Sequence, residues 1–484
     1  MDTEKIINDD LKALEQADEV RKKNIVGVML EHFISRVGDL SEHLNEIREK
    51  AKSNNSMIKQ FCDIITKELQ TACDGRVTVT DYVQKQMSKQ TVNVYVGTHW
   101  VQAPTQQFYD WVKDGAYKTG LPSIFCEDPK LMNQMFEQMA FRVSRFRLNQ
   151  VPHGEVWVNM LNGTLELDSR GKVRFREHRA EDFFTYVLPY NYDPMAACPL
   201  WHRVLDRVLP DMEQQSILGE YIGYCFTKEL RLEKCLILEG PGGNGKSVIS
   251  ELIIRLLGNV NVSKVDWELL TSDENYRSTC VGKLANISQE NGQNIKHSIL
   301  KNMVSGEAVM VKQLYKDPVP TTDYGKLIAL FNTLPKTEST NAYVRRLIIL
   351  PFHQIISEEE KDVQLIDKLE EELSGILNWV LGLLHGLILR KSFTKSVVCD
   401  DMVKRYIQDQ NSALRFFEER CVLAEDGRMS INELFAAYKT FCQEEGVKNP
   451  FGRNTFIKNV ETQGVKRGVA NGNRYVTVKM KAEY

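Results

Sequence analysis

An α/β fold with a central parallel sheet is predicted, preceded by helical and α+β regions and followed by a winged helix at the C-terminus. Three observations predict it. A short apolar run feeds a glycine-rich loop and then a helix over 235–258. Two further strand-like runs follow, at 325–335 and 343–352. The last segment, 405–484, reads as helix, helix and hairpin.

The 484 residues suggest three or four domains at roughly 100–200 residues each. Hydrophobic residues make up 42% and charged residues 26%, ordinary for a soluble globular chain. No run of eighteen apolar residues occurs, so no membrane span is expected. The start, MDTEKIINDD, lacks the basic and apolar stretches of a signal peptide. Ten cysteines are scattered without a C-x-x-C pair, which argues against a zinc site and suits a reducing cytoplasm. A net charge of −3 excludes a wholly basic nucleic-acid binder but not local basic surfaces.

Residues 1–90 read as a helical region. Leu30, Phe33, Ile34, Val37, Leu44 and Ile47 recur at three- and four-residue steps. Residues 91–199 read as a small α+β domain. TVNVYVGTHWV switches to strand patterning around a glycine, and 156–176 carries short strands joined by Asn-Gly and Arg-Gly turns. Residues 200–232 return to helix, a collar ahead of the range 233–395. There is no internal repeat.

The strongest signal is CLILEGPGGNGKS at 235–247. CLIL suits a buried parallel strand. Gly240, Pro241, Gly242, Gly243, Asn244, Gly245, Lys246 and Ser247 match G-x-x-x-x-G-K-S. The glycines let backbone N–H groups curl around phosphate oxygens, and the helix beginning near Val248 adds its positive end. Lys246 reaches the β- and γ-phosphates of ATP, and Ser247 offers its hydroxyl to Mg²⁺. Helical spacing then runs to Gly258, a C-cap.

The following segments distinguish a motor from a kinase. GKLANISQENGQ places Glu290 after a short strand, where an acid can position water or Mg²⁺. Asn286 and Ser288 interrupt its apolar pattern, and an ordinary surface glutamate fits equally. GKLIALFNTLP ends a strand at Asn332, where a polar side chain can meet a phosphate or the attacking water. Arg345 and Arg346 precede a last strand. An arginine delivered from a neighbouring subunit stabilises charge on the γ-phosphoryl group.

These runs, with SGEAVMVKQLYKDPVPTTDYGKLIALFNTLP between them, resemble superfamily 3 helicases, and more narrowly the poxvirus and phage primase-helicase family. NGTLELD, EDFFTYVLPYNYDP, CPLWHRVL and GEYIGYCFT are similar to the region that precedes that ATPase, so the resemblance spans about 91–484. It implies an AAA+-like homohexamer with ATP between subunits and single-stranded DNA in the channel. It implies Walker A roles for Lys246 and Ser247, the Walker B acid for Glu290, the sensor for Asn332, and the arginine finger for Arg345 or Arg346. Lys312 and Lys316 lie in the segment that forms the channel hairpin in that family.

At the C-terminus, NELFAAYKTFCQEEG is amphipathic and VKRGVANGNRYVTVKM is a hairpin with an Asn-Gly turn. Helix, helix and wing suggest a winged helix, as the family carries there. From Gly446 to Tyr484 eight Lys/Arg face two acids, which reads as a DNA surface with Arg453, Lys458, Lys466 and Arg467 as contacts. Larger family members carry a primase domain at the N-terminus, and ninety helical residues are too few for one. A separate primase or polymerase partner is therefore expected.

The reading is an ATP-dependent replicative DNA helicase of a virus, phage or mobile element. The alternative is an ATP-gated initiator that binds origin duplex without processive unwinding. A small-molecule kinase is disfavoured by the arginine pair and the basic C-terminal module.

Overall fold

The computed structural model describes residues 19–80, 91–144, 151–152, 154–227, 231–289, 294–312, 317–335, 341–447, 450–470 and 473–481. Glu290 and Lys316 lie outside them. The chain is a mixed α/β fold around a five-stranded parallel sheet.

The first core gathers helices α1 (Glu19–Ser35), α2 (Ser41–Lys50), α3 (Asn54–Cys73), α4 (Thr105–Lys118) and α5 (Pro129–Val143) around a small antiparallel sheet. That sheet is β1 (Val77–Thr80), β2 (Thr91–Tyr95) and β3 (Trp100–Ala103). Helix was expected to about residue 90, but it ends at Cys73. Asp74 and Gly75 both turn left-handed, at φ 47° and 70°, and the alternating Val-Thr-Val-Thr then extends as β1 against β2. Leu30, Phe33, Val37, Leu44 and Ile47 are all buried here, and Ile34 packs at the edge. Phe108 stacks on Trp111 at 5.5 Å between ring centres. This core therefore draws on both sides of residue 90.

The second core joins the meander β4 (Val156–Met160), β5 (Gly163–Leu167) and β6 (Val173–Arg176) to α6 (Pro199–Val208) and α7 (Met212–Cys225). It is shared with one face of the central sheet. That sheet has the order β13-β7-β12-β9-β8, with β7 (Cys235–Glu239), β8 (Val262–Ser263), β9 (Ala285–Ser288), β12 (Lys326–Phe331) and β13 (Leu347–Pro351). Helix α8 (Lys246–Leu257) follows β7 and ends at Gly258, φ 80°. Alternate residues of each strand face opposite cores. Leu236, Leu238, Ile348 and Leu350 meet the second core. Cys235, Ile237, Leu347 and Ile349 meet a third, with Trp267, Tyr343 and Tyr406. Burial on both faces explains why these strands are continuously apolar.

Asn286 interrupts that pattern for a structural reason. Its buried amide accepts from Val265 N–H at 3.0 Å and donates to Val265 C=O at 2.9 Å. It thereby replaces missing sheet partners just past the short edge strand β8.

Helix α9 (His297–Val304) precedes an antiparallel hairpin, β10 (Val309–Val311) with β11 (Val319–Thr321). Helix α10 (Leu373–Arg390) packs along α7, where a Cβ on Gly219 would come within 2.4 Å of Leu383. It is long and apolar enough to cross a membrane, but its buried face, including Ile376, Val380 and Leu384, belongs to the second core.

Helix α11 (Val397–Gln410) lies on β13 and contributes Tyr406 to the third core. Asn411 then caps α12 (Ser412–Arg420) by accepting from Ala413 and Leu414 N–H. A fourth core begins there, not at 405. It contains α12, α13 (Ile431–Glu444) and α14 (Arg453–Glu461). The strands β15 (Met429–Ser430), β16 (Arg467–Ala470) and β17 (Asn473–Val476) form one small sheet, and β14 (Cys421–Leu423) pairs with β18 (Val478–Met480). Two helices before a hairpin were expected. The third, α12, is amphipathic but was hidden by the charged run RFFEER.

Candidate functional site

The glycine loop leaves β7 and returns directly into α8. Gly240, Gly243 and Gly245 have φ of 149°, 75° and 86°. A Cβ on Gly240 would stand 2.3 Å from the Phe352 carbonyl oxygen, and one on Gly245 2.8 Å from Val208. The buried Asn244 amide donates to that same Phe352 oxygen at 2.6 Å. The loop is thus pinned to the chain leaving β13, while Gly242 has open space around it.

Lys246 is 5% exposed. Its ammonium donates to Gly240 C=O, to Pro241 C=O at 3.0 Å and to Asn244 Oδ1 at 3.1 Å. Burial pulls its pKa below the ordinary lysine value, and the nearby Glu239 opposes that. Ser247 is exposed on the first turn of α8.

A cleft of about 1240 Å³ opens around these residues. Gly242, Gly243, Asn244, Gly245, Lys246, Ser247, Val248, Gln289 and Asn332 line its polar end. Val204, Val208, Ile356, Val363 and Leu365 line an apolar end, with Arg203, Arg207, Glu360 and Lys361 around it. Asn332 reaches the cleft because β12 lies beside β7 and ends level with it, Phe331 opposite Glu239.

The apolar end was not read from the sequence. It is held by a strap, residues 353–364, that crosses the loop. Ile356 N–H donates to Gly243 C=O at 2.9 Å. Arg207 grips Glu360 with two bonds of 2.9 Å and also reaches Ile355 C=O at 2.8 Å. Hydrogen bonding from Arg207 drives the Glu360 carboxyl down to about 2. The i,i+4 pair Arg203 and Arg207 on α6 was the available signal, and such pairs are common on helices.

Arg345 and Arg346 sit at the opposite end of the strands. Leu347 pairs with Cys235 at the start of both strands, whereas the glycine loop follows Glu239 at the far end. About four residues of strand, roughly 13 Å, separate the two ends. Arg346 is buried within its own chain. Its guanidinium donates to Ser305 Oγ at 2.8 and 3.0 Å and to Glu233 at 2.9 Å. The Arg345 side chain is 66% exposed, with Glu233 only at 3.8 Å. The structure therefore separates two arginines that are equivalent in sequence.

Lys312 is exposed at the end of β10. Its arm of the hairpin is anchored by Arg277, which donates to Met310 C=O at 2.9 Å, and by the Lys312 N–H to Glu274 C=O bond at 3.1 Å. In the C-terminal module Arg453 and Lys458 are exposed on α14, and Lys466 is exposed before β16. Arg467 is held in an ion pair with Glu461, so it is less available than its neighbours.

Three family models match the chain in order. "D5 N terminal like" covers 77–210, "Family of unknown function (DUF5906)" covers 238–346, and "Poxvirus D5 protein-like" covers 408–473. The "Putative helicase L207/L206" of Acanthamoeba polyphaga mimivirus is 25% identical over 226 residues. These matches make the chain similar to the poxvirus and phage D5-like superfamily 3 helicases.

The mimivirus match takes in 40% of this D5-like chain and 23% of the relative, so the chain spans about a quarter of that protein. Among solved structures, one form of the NrS-1 C terminal region is 13% identical with a TM-score of 0.45, covering 85% of this chain and 98% of that one. A second is 11% identical with a TM-score of 0.42, covering 86% and 98%. Within this D5-like chain, the 238–346 match contains the glycine loop, the hairpin, Asn332 and both arginines.

Proposed function

We propose that this D5-like chain is an ATP-dependent DNA helicase of viral or phage replication, working as a six-membered ring with ATP between subunits. The observation that carries this reading is the cleft. A constrained glycine loop, a buried lysine, a helix N-terminus and Asn332 converge on one polar end. Backbone N–H groups at that end suit phosphate oxygens. The apolar end suits a base.

In this reading Lys246 leaves its loop carbonyls to hold the β- and γ-phosphates, and Asn332 contacts the γ-phosphate. Glu290 orients the attacking water. Arg345 reaches the cleft of the neighbouring subunit, since it lies at the end of its own sheet away from its own cleft and faces solvent. Arg346 instead positions it. Lys312 and Lys316 track the DNA backbone in the channel. Ser247, with Glu290, would hold Mg²⁺, which supplies charge neutralisation on phosphate oxygens when bound. Among the described residues no cluster of three or more His, Cys, Asp or Glu forms a cage.

The exposed Arg453 and Lys458 on one helix suit duplex contact and favour a second reading, an ATP-gated origin-binding initiator. Displacement of a labelled strand from a forked duplex separates the two. Unwinding that requires ATP and is insensitive to duplex sequence is expected. Hydrolysis without displacement, joined to sequence-selective duplex binding, overturns the helicase reading.

The strap makes a further prediction. Arg207→Ala releases 353–364 from α6, so the Kd for a fluorescent ATP analogue rises by about tenfold, with little change in melting temperature. The clasp also sets a pH window. A carboxyl depressed from 4.5 to about 2 contributes above pH 4.5 and is lost as pH falls through about 2. Nucleotide affinity should therefore show no Glu360 titration between about pH 5 and 8.

A further inference from the structure

We infer that residues 265–278 form a rigid block coupling the nucleotide cleft to the channel hairpin, with Arg277 as its positioning residue. This coupling presupposes the ATP-driven motor proposed above. The block contains two short helices, Trp267–Ser272 and Glu274–Ser278. Asp266 caps the first and Asp273 the second, each by accepting a backbone N–H. Trp267, Leu270, Thr271 and Arg277 are buried.

One end of the block faces the cleft. Trp267 packs edge-on against Phe331, 6.0 Å between ring centres, and Phe331 lines the cleft beside Asn332. Val265 exchanges two hydrogen bonds with Asn286 of β9. Glu268 accepts from the Asn294 N–H at 3.3 Å and from the Asn294 side-chain amide at 3.2 Å. Thr271 Oγ1 accepts from the Lys296 N–H at 3.0 Å. The block thereby fixes β9, the chain at 294–296 and the end of β12 relative to one another.

The other end carries the hairpin. Arg277 donates to Leu270 C=O at 3.0 Å and to Met310 C=O at 2.9 Å. One guanidinium thus joins the first short helix to β10, and the Lys312 N–H bond to Glu274 C=O joins the second. The ion pair of Arg277 with Glu274 is long, 3.8 Å. A buried charge is costly to place. A planar fork with donors in fixed directions can nevertheless bind carbonyls of two elements at once, which a lysine cannot reproduce. A plain anchor for the hairpin needs no contact at the cleft, and this block has contacts at Phe331, Asn286 and Asn294. Close-packed interiors transmit displacement, so a shift of Phe331 or Asn294 reaches Met310 through Leu270 and Arg277.

The test is fluorescence anisotropy of a labelled oligothymidylate with the full chain, with and without Mg²⁺ and a non-hydrolysable ATP analogue. The ratio of the two Kd values measures the coupling, and the parent is expected to give a ratio of about 5–150. Arg277→Lys keeps the charge but serves only one of the two carbonyls. Glu268→Ala frees Asn294 at the cleft end and leaves Arg277 in place. Each is expected to bring the ratio about two- to thirtyfold closer to one, with the nucleotide-free Kd unchanged. A merely structural role shifts both affinities together and leaves the ratio alone. Melting curves matching the parent show that the variants fold, and if Arg277→Lys does not, Glu268→Ala decides. An unchanged ratio in the folded variants overturns the coupling block. A parent ratio of one instead removes the motor reading, and the block with it.

Discussion

Lys246→Ala is expected to lower ATP hydrolysis by roughly 10²-fold or more while leaving the fold intact. The lysine is buried at the polar end of the cleft and, among the described residues, donates to the loop acceptors Gly240, Pro241 and Asn244. Exchanging those neutral acceptors for charged phosphate oxygens is favourable, because charge-assisted bonds are about twice as strong as neutral ones. Its partly desolvated site strengthens that attraction further. Alanine removes this without collapsing the loop, which is independently held by Asn244 on Phe352 C=O and by Ile356 on Gly243 C=O. Steady-state phosphate release and a thermal melt check both halves. Turnover within threefold of the parent would mean that the cleft is not the hydrolytic site.

Arg345→Ala is expected to reduce hydrolysis by about 10³-fold or more with no loss of stability, whereas Arg346→Ala destabilises the fold. The distinction follows from burial. Arg345 projects into solvent with one distant ion pair, and such pairs contribute little. Removing Arg346 leaves Ser305 buried without its donor and Glu233 without its near partner, a loss of about 1–3 kcal/mol given that Glu233 is 45% exposed. Mixing Lys246→Ala with Arg345→Ala subunits should restore hydrolysis at interfaces that pair an intact lysine with an intact arginine. Failure of mixing to restore any activity would remove the shared-site arrangement. A stable but inactive Arg346→Ala, beside an active Arg345→Ala, would transfer the role to Arg346.

How far the sequence alone carries depends on whether a feature is local. The glycine loop between an apolar strand and a helix was legible because all three parts lie within 235–258. The two-sided burial of β7 was legible in its unbroken apolar run CLIL, and the meander and the C-terminal hairpin in their Asn-Gly and Arg-Gly turns. These signals arise from backbone preferences over a few residues, and no distant partner is needed to read them. Even the end of α3 was written locally, in Asp74-Gly75 and the Val-Thr alternation, though a helical prior concealed it.

The tertiary structure decided what depends on residues far apart in the chain. Arg345 and Arg346 are neighbours of one type, and Ser305 and Glu233, 41 and 113 residues from Arg346, hold that one internally while the Arg345 side chain stays exposed. The strap over the cleft exists because Arg207 meets Glu360 across 153 residues. The division of the N-terminal half between two cores, with β1–β3 in one and β4–β6 in the other, came from packing as well. Local propensity sets which elements form. Partner choice between elements is set by mutual burial and charge, which no single stretch of sequence encodes.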